Sequence, residues 1–510
     1  MFAVKCILSL LKNNTPLNPF KKLAGDTAIY GVSSIVGRFL NWWLVPYYSF
    51  MFLPEEYGVV TNMYAYVAFF LVLLTYGMET SYFRYASRSD KPEEVYSTSL
   101  ISLLFTTLSF VLLASAFRHE IAAWIRYPDH PEYILWFAII LGIDAFTAIP
   151  FARLRLNNRP IKFAMLKFIF IGFNIGFNLF FISLCPKLVE NNPDSIVNLV
   201  YSKEIGVGYV FISNLLASVI VLILLLPEIF RISFNFNKKL LKQMLNYGFP
   251  ILIVGLTGMI NQNIDKVLLP FLLPQNQDPM FQLGIYGANY KLAVLMNMFI
   301  QAFRYAFEPF FFARGGSKDD PRIYAVVMKY FVIFGLIIFL GMMLYLDVVK
   351  LIIDPKYHEG LRVVPLVLLA NLFFGIYFTL SLWYKLTDKT RYGAYMALVG
   401  SAITLVLNFL LIPLMGYMGS AIAVFVCFLA MMIISFVLGQ KHYPVPYDLK
   451  RIGTYAIFAA VFFAASYFTE SLPSLLKYGV NTVFMLLFLG TVFKHEKNDL
   501  LKLFKAGNKK

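Results

Sequence analysis

Charged side chains are scarce in this chain, and cysteines are too few to hold it together. Only 14% of the 510 residues are charged, whereas 59% are hydrophobic and the mean hydropathy is +0.69. A soluble domain of this size cannot hide so many apolar side chains. The three cysteines, Cys6, Cys185 and Cys427, are far apart and offer no disulfide framework or metal-ligand spacing. The composition therefore predicts an all-α integral membrane protein.

Side chains that usually catalyse reactions form no motif here. The five histidines are scattered through loops and the tail, at His119, His130, His358, His442 and His495. No glycine-rich phosphate loop precedes a Lys-Ser or Lys-Thr pair, which argues against an ATPase. The net charge of +16 is spread over helix ends and not gathered in one patch, which argues against nucleic acid binding. We expect neither an enzyme nor a cofactor.

Apolar stretches long enough to cross a bilayer as helices recur about fourteen times. They lie at about 26–48, 57–79, 97–117, 134–152, 162–184, 206–226, 247–269, 285–307, 325–346, 363–384, 392–414, 418–438, 452–469 and 474–493. The amino-terminal arm, the loops after even-numbered spans and the tail hold 30 of the 44 Lys and Arg residues, and the loops after odd-numbered spans hold 8. Because basic loops stay in the cytoplasm, we expect both termini there. The tail mixes leucines with lysines, which suits either an anionic leaflet or solvent.

Spans one and two resemble spans seven and eight. Tyr30-Gly31 matches Tyr247-Gly248, and the stretch from Gly58 to Arg84 matches the stretch from Gly287 to Arg314. Six spans separate the two units, so both halves insert in the same direction, related by a pseudo-twofold axis along the membrane normal. We therefore expect an arm (1–25), a first lobe (26–226), a linker (227–246), a second lobe (247–438), two further helices (439–493) and a basic tail (494–510).

Several motifs resemble the polysaccharide transporter family of the multidrug/oligosaccharidyl-lipid/polysaccharide flippase superfamily. They are Leu53-Pro-Glu-Glu-Tyr-Gly-Val, Gly77-Met-Glu-Thr-Ser-Tyr-Phe-Arg84, Gly258-Met-Ile-Asn-Gln-Asn-Ile-Asp-Lys-Val-Leu-Leu and Leu283-Gly-Ile-Tyr-Gly-Ala-Asn-Tyr-Lys-Leu-Ala. The resemblance covers roughly residues 20 to 440. It implies two six-helix lobes in a V around a central cavity, with two further helices outside them. It also implies a bacterial inner membrane location, a lipid-linked oligosaccharide as substrate, and glycan-assembly proteins as partners.

Polar side chains inside the spans mark the candidate site, because a charge at the bilayer centre costs about 2.5–3.5 kcal/mol on insertion scales. Span one carries Arg38 and Asn41 on one helical stripe, and span five carries Lys167 and Asn174. Arg38 either faces a cavity or pairs with Asp144 of span four. Lys167 either lines the cavity or snorkels to the surface, and the asparagines either line it or join helices.

Spans seven and eight carry the remaining candidates. Span seven supplies Gln262, Asp265 and Lys266. Adjacent residues lie about 100° apart around a helix, so Asp265 and Lys266 are not expected to face each other. Asp265 either takes up a coupling ion or serves as partner to a nearby cation. The stripe on span eight comprises Tyr286, Tyr290, Ala293, Asn297, Gln301, Arg304 and Glu308, with Lys291 beside it. Arg304 and Glu308 are spaced to bridge each other.

These residues predict a flippase that works by alternating access. The pyrophosphate of a polyprenyl-diphosphate-linked oligosaccharide would meet Arg38, with Lys167, Lys266, Lys291 and Arg304 as further cations. Asp265 and Asp144 are the candidates for a coupling ion. A cation-coupled multidrug exporter of the same superfamily is the alternative, although it would need a more acidic cavity. A membrane-embedded glycan polymerase or glycosyltransferase would need a large outer loop, and none is present.

Overall fold

A computed structural model describes residues 36–37, 39–192, 196–230, 235–314, 321–387, 389 and 391–508, and all the regular secondary structure in these ranges is helical. The main helices are α1 Leu44–Met51, α2 Pro54–Thr75, α3 Met78–Ala86, α4 Pro92–Ala116, α5 Pro131–Leu156, α6 Pro160–Asn178, α7 Gly208–Phe230, α8 Lys238–Leu272, α9 Pro279–Leu292, α10 Val294–Arg314, α11 Arg322–Leu344, α12 Val364–Leu380, α13 Arg391–Met415, α14 Tyr417–His442, α15 Leu449–Tyr467 and α16 Ser474–Asn508. Short helices and turns join them, among them a π-helical segment, Leu179–Leu184, after α6.

Twelve helical segments in the described ranges are long and apolar enough to span a membrane. They coincide with twelve of the fourteen predicted spans. Residues 26–35 and Arg38 of the predicted span 26–48 lie outside the described residues. The predicted span 285–307 is not one continuous helix, because α9 ends at Leu292 and α10 begins at Val294. The all-α membrane fold is therefore confirmed, whereas the number fourteen is not.

Proline marks the start of several of these helices. Pro54, Pro92, Pro131 and Pro160 are the first residues of α2, α4, α5 and α6. Proline fits this position because its missing N–H has no helical acceptor there and its fixed φ suits the first turn. Helix starts therefore follow from the sequence more closely than helix ends.

The helices pack in two groups. We refer to α2–α7 as the first group and to α8–α14 as the second group. Within the first group, α2 and α4 contact α5, and α7 contacts both α5 and α6. Within the second group, α13 contacts α8 and α14, and α12 contacts α11 and α14. Helices α15 and α16 contact each other and α11.

The two groups meet along α2. Near one end, α2 crosses α9 so closely that a Cβ on Gly58 would overlap the carbonyl of Met280, and one on Gly284 would overlap that of Pro54. Beyond the other end of α2, a Cβ on Gly77 would lie 2.6 Å from the carbonyl oxygen of Gly248. The end near Gly77 carries loops 87–91 and 157–159, and we call it the basic end. We call the end near Gly58 the opposite end.

Candidate functional site

A polar cluster lies between α8 and α9, toward the opposite end. The Lys266 ammonium is 3.1 Å and 3.3 Å from the two carboxylate oxygens of Asp265 and 3.1 Å from the carbonyl of Gln262. The Tyr286 hydroxyl donates to Asp265 at 2.6 Å, and the Lys266 ammonium lies 4.1 Å from the ring centroid of Tyr290. The expectation that Asp265 and Lys266 do not face each other is wrong, because the long lysine side chain bends back over its neighbour.

Both charges of this cluster are withdrawn from the surface. Asp265 is 1% exposed and Lys266 is 8% exposed. A buried ion pair is tolerated only where further polar groups satisfy it, and here Tyr286 and the Gln262 carbonyl supply them. The Asp265 carboxylate thus balances the charge of Lys266. An anion that displaced Asp265 would have the Lys266 ammonium as its partner.

Side chains of the first group complete this cluster. Asn62 of α2 donates its amide to the carbonyl of Lys266 at 2.8 Å. The Tyr127 hydroxyl donates to the other atom of that amide, Oδ1, at 3.0 Å. Arg126 donates to the carbonyl of Pro270 at 2.7 Å. The sequence stripes did not predict these contacts, although Pro270, four residues after Lys266, was a signal that a helical carbonyl lacks its N–H.

Lys291 differs from Lys266 in its surroundings. Lys291 is exposed. It lies twelve residues after Pro279, the first residue of α9, and therefore about 18 Å from the opposite end along the helix axis. Among the described side chains no acidic group is paired with it, since Asp265 is paired with Lys266. Its carbonyl accepts a hydrogen bond from the Trp42 indole at 2.8 Å, just before the helix break at Ala293. The chain thus keeps an exposed lysine inside a predicted span.

The rest of the predicted stripe on span eight belongs to α10. Asn297, Gln301 and Arg304 are all half-buried. The Arg304 guanidinium lies 4.1 Å from the ring centroid of Phe378. The side chain of Glu308 lies outside the described part, so its predicted bridge to Arg304 stays a prediction.

Lys167 and Asp144 belong to the first group. Lys167 is exposed, and its ammonium lies 4.1 Å from the ring centroid of Phe151. It attracts the half-buried Asp144 carboxylate, which accepts a hydrogen bond from Ser218 at 3.1 Å. Lys167 lies seven residues after the start of α6, about 10 Å from the basic end. The two predicted acids, Asp144 and Asp265, therefore lie in different groups of helices.

The asparagines of span five join helices more than they line a cavity. Asn178 is fully buried, donates to the carbonyl of Asn174 at 2.7 Å and accepts from the Tyr48 hydroxyl at 2.8 Å. Asn174 itself is 8% exposed. Asn41 of span one, in contrast, is exposed.

A cavity of about 540 Å³ lies on the other face of α6. Its lining is apolar and comprises Ile169, Gly172, Phe173, Gly176, Phe177 and Phe180. Gly172 and Gly176 are turned roughly 140–180° away from Lys167 around the helix. This cavity is therefore distinct from the polar site, and its lining has no group that would bind a charged ligand. In the described ranges no three His, Cys, Asp or Glu side chains are grouped as metal ligands.

Comparison with solved structures defines the class of protein. A structure titled as the lipid II flippase MurJ in an inward closed conformation superposes with a TM-score of 0.71 at 13% identity, covering 92% of this chain and 99% of that one. An inward-facing multidrug resistance MATE family transporter of the MOP superfamily gives 0.62 at 13% identity, covering 84% and 95%. The MATE multidrug transporter DinF-BH gives 0.59 at 16% identity, covering 85% and 98%. The chain therefore shares the fold of these transporters.

The chain belongs to the family described as polysaccharide biosynthesis protein, whose sequence model matches residues 23–313. This confirms the family that the motifs indicated. Comparison with curated protein sequences finds no match.

Proposed function

We propose that this chain moves a polyprenyl-diphosphate-linked oligosaccharide from the cytoplasmic to the outer leaflet of a bacterial inner membrane. The glycan would serve a surface polysaccharide, such as O-antigen, capsule or exopolysaccharide. The family and the transporter fold support this proposal. The excess of Lys and Arg in alternate loops supports an orientation with both termini and the basic end in the cytoplasm.

The observation that carries the proposal is the exposed ammonium of Lys291. A cation deep in a bilayer needs water or an anion beside it, and no acidic side chain in the described part contacts this one. Phosphate is the natural ligand of such a group because its oxygens accept charge-assisted hydrogen bonds. An exporter of organic cations would place an unpaired carboxylate there.

The cations are distributed over the depth of the membrane, which suits a path. Lys167 and Arg304 lie nearer the basic end, and Lys291 and Lys266 lie beyond them. We propose that the pyrophosphate meets Arg38 with Lys167 or Arg304 first and then Lys291 and Lys266, while the prenyl chain stays in lipid. The oligosaccharide would contact the amides along the path, namely Asn41, Gln262, Asn297 and Gln301, whereas Asn174 is taken up by its contact with Asn178. Asp265 and Asp144 remain the proposed coupling-ion groups.

Reconstituted vesicles test this function directly. Purified protein is mixed with a polyprenyl-diphosphate-linked oligosaccharide bearing a fluorescent sugar, and a membrane-impermeant quencher reports which leaflet holds it. We expect translocation by the wild type and a loss of about ten- to a hundred-fold in rate for Lys291→Ala, the effect of removing a hydrogen bond to a charged group. Lys291→Arg should retain most of the rate.

Lys389→Ala is the matched control, because Lys389 is an exposed loop lysine. Arg38→Ala and Arg38→Lys extend the test in cells whose surface glycan depends on this chain, with protein abundance measured in parallel. A wild-type protein that moves organic cations and leaves the lipid-linked glycan in place would refute the proposal and favour the multidrug exporter.

A further inference from the structure

Two carbonyls of α8 lack a helical donor near its opposite end. Pro270 lies inside the helix, whose last residue is Leu272. In an α-helix the carbonyl of residue i accepts from the N–H of residue i+4, and proline has no N–H. The Lys266 carbonyl therefore has no helical donor, and the Pro270 carbonyl has none because it lies in the last turn of the helix.

Each of these two carbonyls accepts from a side chain of the first group or of the loop before α5. The Asn62 amide donates to Lys266 at 2.8 Å, and the Arg126 guanidinium donates to Pro270 at 2.7 Å. The guanidinium also lies 5.2 Å from the ring centroid of Phe271. Side-chain donors have thus replaced the missing N–H groups, and they come from across the contact between the two groups.

Asn62 is held firmly in this role. It is 1% exposed, and the Tyr127 hydroxyl donates to its Oδ1 at 3.0 Å, so the amide orientation that points Nδ2 at Lys266 is fixed. Asn62 lies one helical turn from Gly58, where α2 crosses α9 closely. A buried carbonyl left without a donor is destabilising, so α2 and α8 resist separation at this end.

We propose that Asn62 and Arg126 form a latch that closes the opposite end of the transport path, and that Asn62 is a positioning residue for Lys266. Opening this end requires α2 to leave α8, and both hydrogen bonds must then break. One of them ends on Lys266, whose ammonium is paired with Asp265. Parting of the two groups therefore frees the backbone at the residue whose ammonium forms this ion pair. This inference goes beyond the proposed function, since it holds for any substrate that uses the path.

The test measures access to a cysteine behind the latch. Ala65 of α2 is 3% exposed and lies three residues beyond Asn62, about 4–5 Å deeper along the helix axis, and Ala65→Cys in a chain whose Cys6, Cys185 and Cys427 are replaced by serine serves as reporter. A membrane-impermeant maleimide is added from the side of the opposite end. We expect Asn62→Leu to raise the labelling rate about five-fold, as the loss of one net hydrogen bond implies, and Arg126→Ala to raise it similarly. Unchanged labelling in both variants would overturn the latch.

A second experiment combines each latch variant with Pro270→Ala. It restores an N–H for the Lys266 carbonyl, so Asn62→Leu should then add less than about a two-fold further change, whereas Arg126→Ala should still add its full effect. Full additivity of Asn62→Leu with Pro270→Ala would overturn the positioning role. Asn408→Leu is the matched control, because Asn408 is fully buried but donates within its own helix, to Thr404. The readout does not involve glycan, so a wrong substrate assignment leaves this result intact.

Discussion

Lys266 and Lys291 show two ways in which a lysine is accommodated inside a membrane protein. Lys266 is buried and paired with Asp265, and its backbone carbonyl is bound by Asn62. Lys291 is exposed and lies next to a helix break, where the Trp42 indole binds its carbonyl. The first lysine needs an anion to displace its carboxylate, and the second is ready to receive one. In a transport sequence the accessible lysine would bind first.

Removing the carboxylate of Asp265 tests the ion pair at the scale of one residue. We expect Asp265→Ala to destabilise the protein by about 3–5 kcal/mol, because it leaves Lys266 buried without its counter-charge. The double variant Asp265→Ala with Lys266→Met should recover most of that stability, since both charges are gone. Thermal unfolding of the detergent-solubilised protein measures each variant. If the stability loss of the double variant equals the sum of the losses of Asp265→Ala and Lys266→Met, the ion pair does not stabilise the buried Lys266.

The role of Asp265 in coupling is separable from its role in the pair. Asp265→Asn combined with Lys266→Met keeps an acceptor for the Tyr286 hydroxyl and removes both charges of the pair, so that no buried charge is left alone. If transport by this variant no longer responds to an imposed proton or sodium gradient while its stability is retained, the coupling proposal for Asp265 is supported. If the response persists, Asp144 becomes the candidate, and Asp144→Asn is the matched variant.

At the scale of helices, hydropathy predicted most of the fold because membrane spans must be long and apolar. Twelve predicted spans are found as helical segments, whose ends differ from the predicted ones by up to nine residues. The break at Ala293 was not predicted, since neither glycine nor proline stands there. The stripes included Asp265 and Arg304, with Lys266 and Lys291 beside them, but a stripe does not reveal which side chains of another helix will meet it. Asn62 and Tyr127 were missed for this reason.

A buried carboxylate attaches α15 and α16 to the second group. Glu496 is fully buried, and its oxygens lie 2.5 Å from the Lys329 ammonium of α11 and 3.3 Å from the Arg451 guanidinium. The Tyr455 hydroxyl also donates to Glu496, at 2.8 Å. These contacts join α11, α15 and α16 at the basic end, so the last two helices should move with α11.

Removing Glu496 should loosen that attachment. We expect Glu496→Ala to lower stability by about 3–5 kcal/mol, because Lys329 would keep a buried charge without this carboxylate. Glu496→Gln should have a smaller effect, since its amide oxygen still accepts from Tyr455. Proteolysis of the loop at 443–448 in the solubilised protein is the measurement, and the exposed Glu470→Ala is the control. Equal cleavage of Glu496→Ala and the control would mean that this carboxylate does not anchor the two helices.

Over the whole molecule, the charges in the described spans bear on the anionic cargo that we propose. Two acids are tied to basic residues at the basic end, Glu228 to Lys162 and Glu496 to Lys329. Asp144 and Asp265, in contrast, lie among the cations of the proposed path. When an anionic head group moves outward across an inside-negative membrane, its free energy falls by about 2.3 kcal/mol per charge per 100 mV. The membrane potential alone can therefore drive export.

The membrane potential therefore supplies the final test. A potassium diffusion potential of about 100 mV is imposed across reconstituted vesicles. The free energy of a head group with about two negative charges should then be lower in the leaflet at the positive side by about 4–5 kcal/mol, so the substrate should accumulate there. At zero potential it should distribute evenly between the leaflets. This equilibrium does not depend on how the protein inserts, because the potential acts on the substrate. A neutral-headed analogue is the control and should stay evenly distributed. A charged substrate whose distribution ignores the potential and follows an imposed ion gradient instead would assign the drive to a coupling ion, and would direct attention to Asp144 and Asp265.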